Sequence, residues 1–151
     1  EQADIALVNA SISGETSGGA LRRLDALLTQ YQPTHVLIEL GANDGLRGFP
    51  VKKMQANLTS LIQKSQAANA MTALMEIYIP PNYGPRYSKM FTDSFSQISE
   101  ETNTHLLNFF MLNIADKPEL MQNDGLHPNK KAQPLIRDEM YDSIKTWLNK
   151  D

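Results

Sequence analysis

The feature that most constrains this chain is the alternation of short apolar runs with longer segments of helical periodicity. The apolar runs are residues 5–8, 35–40, 71–79 and 105–107. Between them, large apolar side chains recur every three or four residues, which is typical of helices with one buried face. Because successive parallel strands are joined by crossover helices, this alternation predicts an α/β fold in which a parallel sheet carries helices on both faces.

Breaker and capping residues set the limits of the predicted helices. Thr16 or Ser17 is expected to cap the first helix, and Pro33 ends it. A second helix follows Pro50, and the last is predicted from about Lys130 to Asn149. Residues 41–50 are predicted as a glycine-rich loop, with a helical turn around residues 118–120. The side chains predicted to lie on the apolar faces of the helices are Leu21, Leu24, Leu27, Leu28, Met54, Leu58, Leu61, Ile62, Phe91, Phe95 and Ile98. Those of the last helix, predicted to be only partly inward, are Leu135, Met140, Ile144, Trp147 and Leu148.

Composition narrows the class of protein. A chain of 151 residues that is 41% hydrophobic is expected to form one domain, residues 1–151, and to bury roughly 70% of its unfolded surface. It has no cysteine, and its net charge of −3 with no extended basic cluster argues against nucleic-acid binding. No apolar run approaches the roughly 18 residues of a membrane span, so stable membrane insertion is not expected. No histidine has a second histidine or a carboxylate pair at ligand spacing, so a metal site is not predicted. No cofactor is predicted.

Three polar segments are predicted to meet at one edge of the sheet. Ligands of open parallel sheets bind beyond the carboxyl ends of the strands. The loop after residues 5–8 contains Gly14, the loop after residues 35–40 contains Asn43, and residues 124–127 precede the last helix. We therefore expect these segments to form one site.

Asp124 and His127 have the spacing of a base and its orienting carboxylate. A carboxylate three residues before a histidine can fold back and accept the Nδ1–H, which fixes the tautomer and leaves Nε2 as a base. The alternative is an Asx-turn with a surface histidine before a helix. The spacing alone does not separate the two.

Asn43 and Gly14 are candidate donors to an oxyanion. The Asn43 amide could donate from its side chain, and Gly14 could present a backbone N–H that no side chain obstructs. The alternatives are a turn asparagine and an ordinary loop glycine. His35 and His105, which begin apolar runs, are interpreted as strand-edge histidines with ordinary hydrogen bonds.

Four segments in this order resemble the SGNH (GDSL-type) hydrolases, in particular the bacterial thioesterase I/protease I/lysophospholipase branch. The segments are VNASISGETS at residues 8–17, VLIELGANDGLRG at 36–48, IPPNYGPRY at 79–87 and DGLHPN at 124–129. The resemblance implies a three-layer α/β/α fold with a flavodoxin-like parallel sheet. It also implies that Gly14 and Asn43 are oxyanion donors and that Asp124 and His127 are orienter and base.

The same resemblance implies where an acyl chain would bind. Residues 46–50, beginning with Leu46, look like a mobile loop beside the acyl site, and Ile79 and Pro80 look like part of its wall. Ala42 stands where close relatives often carry glycine. The implied substrates are small acyl-esters and thioesters, including acyl-thioesters, aryl or short-chain esters and lysophospholipids. The implied location is periplasmic or secreted, and this sequence shows no targeting signal.

The family's Gly-Asp-Ser-Leu block, which bears the nucleophilic serine on a central first strand, has no counterpart in these residues. Three alternatives are open: the piece is supplied by another polypeptide or copy, the fold has rearranged, or this chain is a fragment. A strand missing there would expose two neighbouring strands, so we expect a companion segment or a dimer partner to cover the gap. Ser11, Ser13 and Ser17 are interpreted as turn or capping residues, with a relocated nucleophile as the alternative. We therefore expect an ester or thioester hydrolase in its complete form. The rival hypothesis is a catalytically inactive α/β domain that binds acyl compounds or a partner.

Overall fold

Three parallel strands form the sheet in the computed structural model, which describes residues 5–149. They are β1 (His35–Ile38), β2 (Met71–Met75) and β3 (His105–Leu107). Their order in the sheet is the order in the chain, with His35 opposite Met71 and Ala73 opposite His105. The three corresponding predictions are confirmed, although β1 and β2 end earlier than the apolar runs from which they were predicted.

Five α-helices connect and flank these strands within the described residues. They are α1 (Ser17–Tyr31), α2 (Ala42–Leu46), α3 (Val51–Ala67), α4 (Pro85–Thr102) and α5 (Gln133–Leu148). Single 3₁₀ turns occupy Pro81–Tyr83 and Pro118–Leu120, and the second of these was predicted. Thr16 caps α1, because its hydroxyl accepts a hydrogen bond from the Gly19 amide at 3.2 Å. None of the helices in residues 5–149 is both long enough and apolar enough to cross a bilayer.

The sheet separates a large hydrophobic core from a small one. The large core lies on the face covered by α1, α3 and α4, and it includes the predicted inward residues of α3 and α4. On the opposite face, α5 packs Trp147 against Ala73, Met75 and Leu107. Leu135, predicted to face partly inward, is 50% exposed and belongs to neither core, because α5 contacts the sheet mainly through its C-terminal half.

Residues 5–8 are not a strand in this structure, which contradicts the prediction of a buried strand there. They have no regular secondary structure, and Leu7 is 90% exposed. Within residues 5–149 the sheet begins at β1, so no strand lies next to residues 5–8 to pair with their backbone. An apolar run alone does not make a strand, because its backbone N–H and C=O groups need a neighbouring strand with which to hydrogen-bond. Beside this open edge, Leu37 of β1 is 40% exposed.

Residues 41–50 are not simply a loop, because they contain α2. Gly41 stands before this helix with φ of +119°, a conformation that favours glycine. A side chain there would also approach Met54 and Phe95, since a Cβ would lie 3.0 Å from Met54 Sδ. Close packing over the core therefore selects glycine at the point where the chain leaves β1 and enters α2.

Gly45→Ala is expected to destabilise the protein, although alanine is ordinarily the better helix former. A Cβ at Gly45 would lie 2.6 Å from Phe91 Cε2 and 2.8 Å from Ile79 Cγ2. Overpacking of this kind costs about 1–3 kcal/mol of unfolding free energy. Urea denaturation should measure the loss, and the double variant Gly45→Ala/Phe91→Leu should recover part of it. Gly18→Ala is the control, since its Cβ would meet nothing closer than 3.4 Å, and equal effects in the two alanine variants would contradict the expectation.

Candidate active site

Asp124 and His127 form the contact that their spacing predicts. The Asp124 Oδ2 atom lies 2.7 Å from His127 Nδ1. The other carboxylate oxygen, Oδ1, accepts the backbone N–H groups of Leu126 at 2.9 Å and of His127 at 3.0 Å. The Asx-turn offered as the alternative is therefore present as well, and it holds the carboxylate in the position from which it reaches the imidazole.

The loop around this pair is closed by local hydrogen bonds. The Gln122 amide donates to the His127 carbonyl at 2.8 Å, and Met121 bridges to Pro128. The Asn129 side chain donates to the carbonyls of Glu119 and Met121. The His127 side chain is 69% exposed. The backbone of the loop is therefore fixed while the imidazole is open to solvent.

His127 lowers the pKa of Asp124 to about 2. The main cause is the hydrogen bond from the imidazole, followed by the backbone N–H bonds of His127 and Leu126. Because the folded pKa lies below the ordinary value of 3.8, the pair is fully formed above pH 3.8 and is lost as the pH falls through about 2. The carboxylate is thus ionised at any pH at which an imidazole can act as a base.

We expect the Asp124 carboxyl carbon to titrate by NMR with a midpoint near pH 2, in line with its lowered pKa. In His127→Ala the midpoint should move toward 3.8, because the largest cause of the shift is removed. The same change at His105 is the control and should leave the midpoint where it is. A midpoint near 3.8 in the unaltered chain would contradict the contact.

The two candidate oxyanion donors lie in segments that touch each other. Gly14 occupies a turn with φ of +74°, and Asn43 lies in the first turn of α2 rather than in a loop. The Asn43 side-chain nitrogen donates to the Glu15 carbonyl at 3.0 Å, and Arg47 donates to the Gly14 carbonyl at 3.2 Å. A carboxamide nitrogen carries two hydrogens, so this bond to Glu15 leaves one for another acceptor.

One contact of α5 is compatible with the expectation that Asn43 and His127 lie at the same edge of the sheet, although no hydrogen bond joins His127 to Gly14 or Asn43 among residues 5–149. Trp147, near the end of α5, stacks edge-on against His35 at the start of β1, with ring centroids 5.3 Å apart. The sixteen residues of α5 span about 24 Å, so its beginning, six residues after His127, is well removed from the His35 contact. Asn43 follows the carboxyl end of β1.

Two tyrosines that sequence reasoning did not identify hold residues 46–50, the loop predicted to be mobile. The Tyr83 hydroxyl donates to the Leu46 carbonyl at 2.7 Å, and the Tyr87 hydroxyl donates to the Phe49 carbonyl at 2.9 Å. Burial raises the pKa of Tyr87, and the nearby Asp44 adds to the effect, so its hydroxyl keeps its proton. Tyr83 ends a 3₁₀ turn and Tyr87 lies in the first turn of α4, with Gly84 at a φ of +88° between them, so no helical spacing in the sequence predicted that both would contact this loop.

The residues predicted to line an acyl site lie beside this loop. Ile79 is buried against Gly45, one residue before Leu46, and both Leu46 and Pro80 are half-buried. These apolar side chains therefore adjoin the helix that bears Asn43. This arrangement is compatible with an apolar wall next to the candidate donors.

The serines near the candidate donors differ in accessibility. Ser17 is fully buried; its hydroxyl donates to Asp44 at 2.6 Å and accepts from Asn57 at 3.0 Å. Ser11 and Ser13 are exposed in the preceding loop. Within residues 5–149, no serine hydrogen-bonds to the His127 ring, whose contact is with Asp124. The part of the chain that the structure describes thus contains a candidate base without a serine in contact with it.

Comparison with known proteins places this geometry in context. Residues 1–134 match the GDSL-like Lipase/Acylhydrolase family. The chain is 47% identical over 150 residues to thioesterase 1/protease 1/lysophospholipase L1 of Escherichia coli K12, covering 99% of this chain and 72% of that protein. It is 49% identical over 133 residues to an arylesterase of Vibrio mimicus, covering 88% of this chain and 66% of that protein.

A solved structure agrees closely with the fold. The crystal structure of the psychrotrophic esterase EstA from Pseudoalteromonas sp., inhibited by monoethylphosphonate, superimposes with a TM-score of 0.94 and 86% sequence identity. The alignment covers 97% of this chain and 80% of the esterase. The similarity therefore extends over almost all of the present fold.

Proposed function

We propose that this chain, which belongs to the GDSL-like lipase/acylhydrolase family of SGNH ester and thioester hydrolases, supplies the base, the orienting carboxylate and two oxyanion donors of a serine hydrolase. The observation that carries the proposal is the 2.7 Å contact between Asp124 and the Nδ1 atom of His127. In this assignment His127 is the base, and Asp124 holds its tautomer and stabilises the imidazolium. Gly14 N–H and the remaining Asn43 N–H are the oxyanion donors.

The proposed reaction has two halves. In the first, His127 Nε2 takes the proton of a serine hydroxyl as its oxygen attacks the acyl carbon, and it then gives that proton to the departing alcohol or thiol. In the second, Nε2 deprotonates a water that attacks the acyl-serine, and the proton returns to the serine as the acid is released. Gly14 and Asn43 stabilise the tetrahedral oxyanion in both halves, and each such donor contributes about 2.7–4 kcal/mol to lowering the barrier.

The proposed substrates are acyl-thioesters, aryl or short-chain esters and lysophospholipids. The names of the relatives support this range, since they include a thioesterase, a lysophospholipase and an arylesterase. The apolar surface formed by Leu46, Ile79 and Pro80 is the proposed contact for the acyl chain. Apolar walls with a few directed polar groups are the usual composition of small-molecule sites.

A serine outside these 151 residues is the proposed nucleophile. Ser17 is unsuited, because its hydroxyl is buried and bonded to Asp44 and Asn57. The outer edge of β1 is unpaired within the described residues, and Leu37 beside it is 40% exposed. This surface suits an added strand, whose backbone would pair with β1 and whose apolar side chains would cover Leu37. The finer architecture that we propose is thus a three-layer fold completed by a serine-bearing strand.

The test compares the 151-residue chain with a form joined to a segment that carries the family's Gly-Asp-Ser-Leu motif. Against p-nitrophenyl esters the chain alone should turn over feebly, with no acyl-enzyme burst and no labelling by a serine-directed phosphonate. The joined form should show both the burst and the labelling. The matched control is the same segment with its serine replaced by alanine. Light scattering should also show that the joined form self-associates less than the chain alone, because the edge of β1 is then covered.

Two outcomes would contradict this proposal. Stoichiometric phosphonate labelling of the chain alone would point to Ser11 or Ser13, and peptide mapping would identify which one. A joined form that folds and binds ester without a burst would favour the rival hypothesis of an inactive acyl-binding domain.

A further inference from the structure

Asp44 is the one acidic side chain that is buried among the residues the structure describes. It is 4% exposed, and both of its carboxylate oxygens bond to Ser17, Oδ2 to the backbone nitrogen at 2.9 Å and Oδ1 to the hydroxyl at 2.6 Å. A buried carboxylate is costly unless strong donors replace its water. An N–H group at the start of a helix is such a donor, and the helix dipole adds to the attraction.

This contact joins the two segments that carry the candidate oxyanion donors. Ser17 begins α1 three residues after Gly14, and Asp44 immediately follows Asn43. Asn57 of α3 donates to the Ser17 hydroxyl at 3.0 Å, which ties the same point to a third element. We call Asp44, Ser17 and Asn57 the bracket.

Helix capping does not account for the bracket. Thr16 already caps α1 by accepting the Gly19 amide. Asp44 reaches Ser17 across 27 residues of sequence, whereas a cap is supplied by the adjacent chain. The main-chain carbonyl of Asp44 also accepts the Phe49 amide at 2.9 Å, so the residue holds the end of the loop at 46–50 as well.

We propose that Asp44 is a positioning residue that fixes the Gly14 N–H relative to the Asn43 amide. The inference rests on the proposed function for the roles of those two groups. One Asn43 hydrogen is used by the Glu15 carbonyl, so the direction of the other depends on where residues 14–15 lie relative to α2. The Asp44–Ser17 contact sets that distance. A misplacement of about 1 Å at such a site can lower the rate about 10²-fold.

The experiment uses Asp44→Asn and Ser17→Ala, with Ser65→Ala as matched control. Ser65 is also fully buried, but its hydroxyl donates within α3 to the Leu61 carbonyl. In the 151-residue chain, the NMR signals of the Gly14 amide and of the Asn43 side-chain amide should shift in both bracket variants and stay in place in the control. In the form joined to the serine segment, kcat should fall about 10–100-fold in the bracket variants, with KM changed far less. If Asp44→Asn fails to fold, the same measurements on Ser17→Ala decide the question.

The proposal is overturned if the Gly14 and Asn43 signals of both bracket variants match those of the unaltered chain. It is also overturned if the joined form shows a burst whose kcat the bracket variants leave unchanged, or if Ser65→Ala lowers kcat equally. Absence of any burst in the joined, otherwise unaltered protein refutes the proposed function instead. In that case the NMR comparison still decides whether Asp44 positions the two amides.

Discussion

His127→Ala is expected to abolish the acyl-enzyme burst of the serine-containing form and to lower kcat by on the order of 10⁶-fold, as loss of the base does in a serine protease. The substitution leaves the serine without a proton acceptor and the leaving group without a proton donor. Asp124→Asn should lower kcat about 10⁴-fold, because the imidazole would then be held in the wrong tautomer. Stopped-flow measurement of p-nitrophenol release gives both the burst and the steady rate.

The control for this prediction is His35→Asn, at the amino edge of the sheet, where the ring stacks against Trp147. It should retain the burst. Circular dichroism should show that His127→Ala is folded, since the side chain is largely exposed. A His127→Ala variant with an undiminished burst would remove His127 from the mechanism and leave the Asp124 contact as a purely structural one.

Phe95→Ala is expected to produce the largest loss of stability that we predict. Phe95 is fully buried, with its ring centroid 5.4 Å from that of Phe91. Truncating a buried phenylalanine costs about 3–5 kcal/mol of unfolding free energy through lost burial and the cavity that remains. For a chain of this length that corresponds to a fall in Tm of roughly 6–20 °C, measurable by scanning calorimetry.

Phe49→Ala is the matched control for Phe95→Ala, because its side chain is 42% exposed. It should change the unfolding free energy by roughly 0.5 kcal/mol or less. Phe95 also lies under Gly41, whose Cβ would stand 3.2 Å from Cζ, so its truncation should loosen the entry to α2. Similar effects of the two substitutions would mean that the core on this face is not closely packed.

The sequence was sufficient to predict those parts of the structure that depend on local patterns. The apolar faces of α3 and α4 follow from three- and four-residue spacing, and the Asp124–His127 contact follows from residues three apart. The cap of α1 was narrowed to Thr16 or Ser17, because a capping hydroxyl accepts from an amide about three residues further on, and Thr16 is the one that does so. Such features need no knowledge of distant parts of the chain.

The sequence did not correctly predict features that depend on contacts between residues far apart in the chain. Residues 5–8 have the composition of a strand, yet pairing decides whether a strand forms, and no strand lies beside them among residues 5–149. The helix α2 was not predicted because Gly41 and Gly45 suggested a loop. Gly45 is required by its contact with Phe91, and Gly41 by its positive φ as well as by its contacts with Met54 and Phe95. The hydrogen bonds between Ser17 and Asp44 could not be predicted from local spacing, because the two residues are 27 apart in the sequence.

The loop around Asp124 and His127 is closed by its own hydrogen bonds. We therefore expect this half of the candidate site to form at a different stage of folding from the half that contains Gly14 and Asn43. The base and its carboxylate are three residues apart, within a segment whose own hydrogen bonds define its shape. In the donor half, the hydrogen bond from the Asn43 side chain to the Glu15 carbonyl joins residues 28 apart. Its formation therefore costs loop-closure entropy that the Asp124–His127 contact does not. Low contact order favours early formation, so the candidate base and its carboxylate should come together before the candidate oxyanion donors and should stay together longer when the protein begins to open.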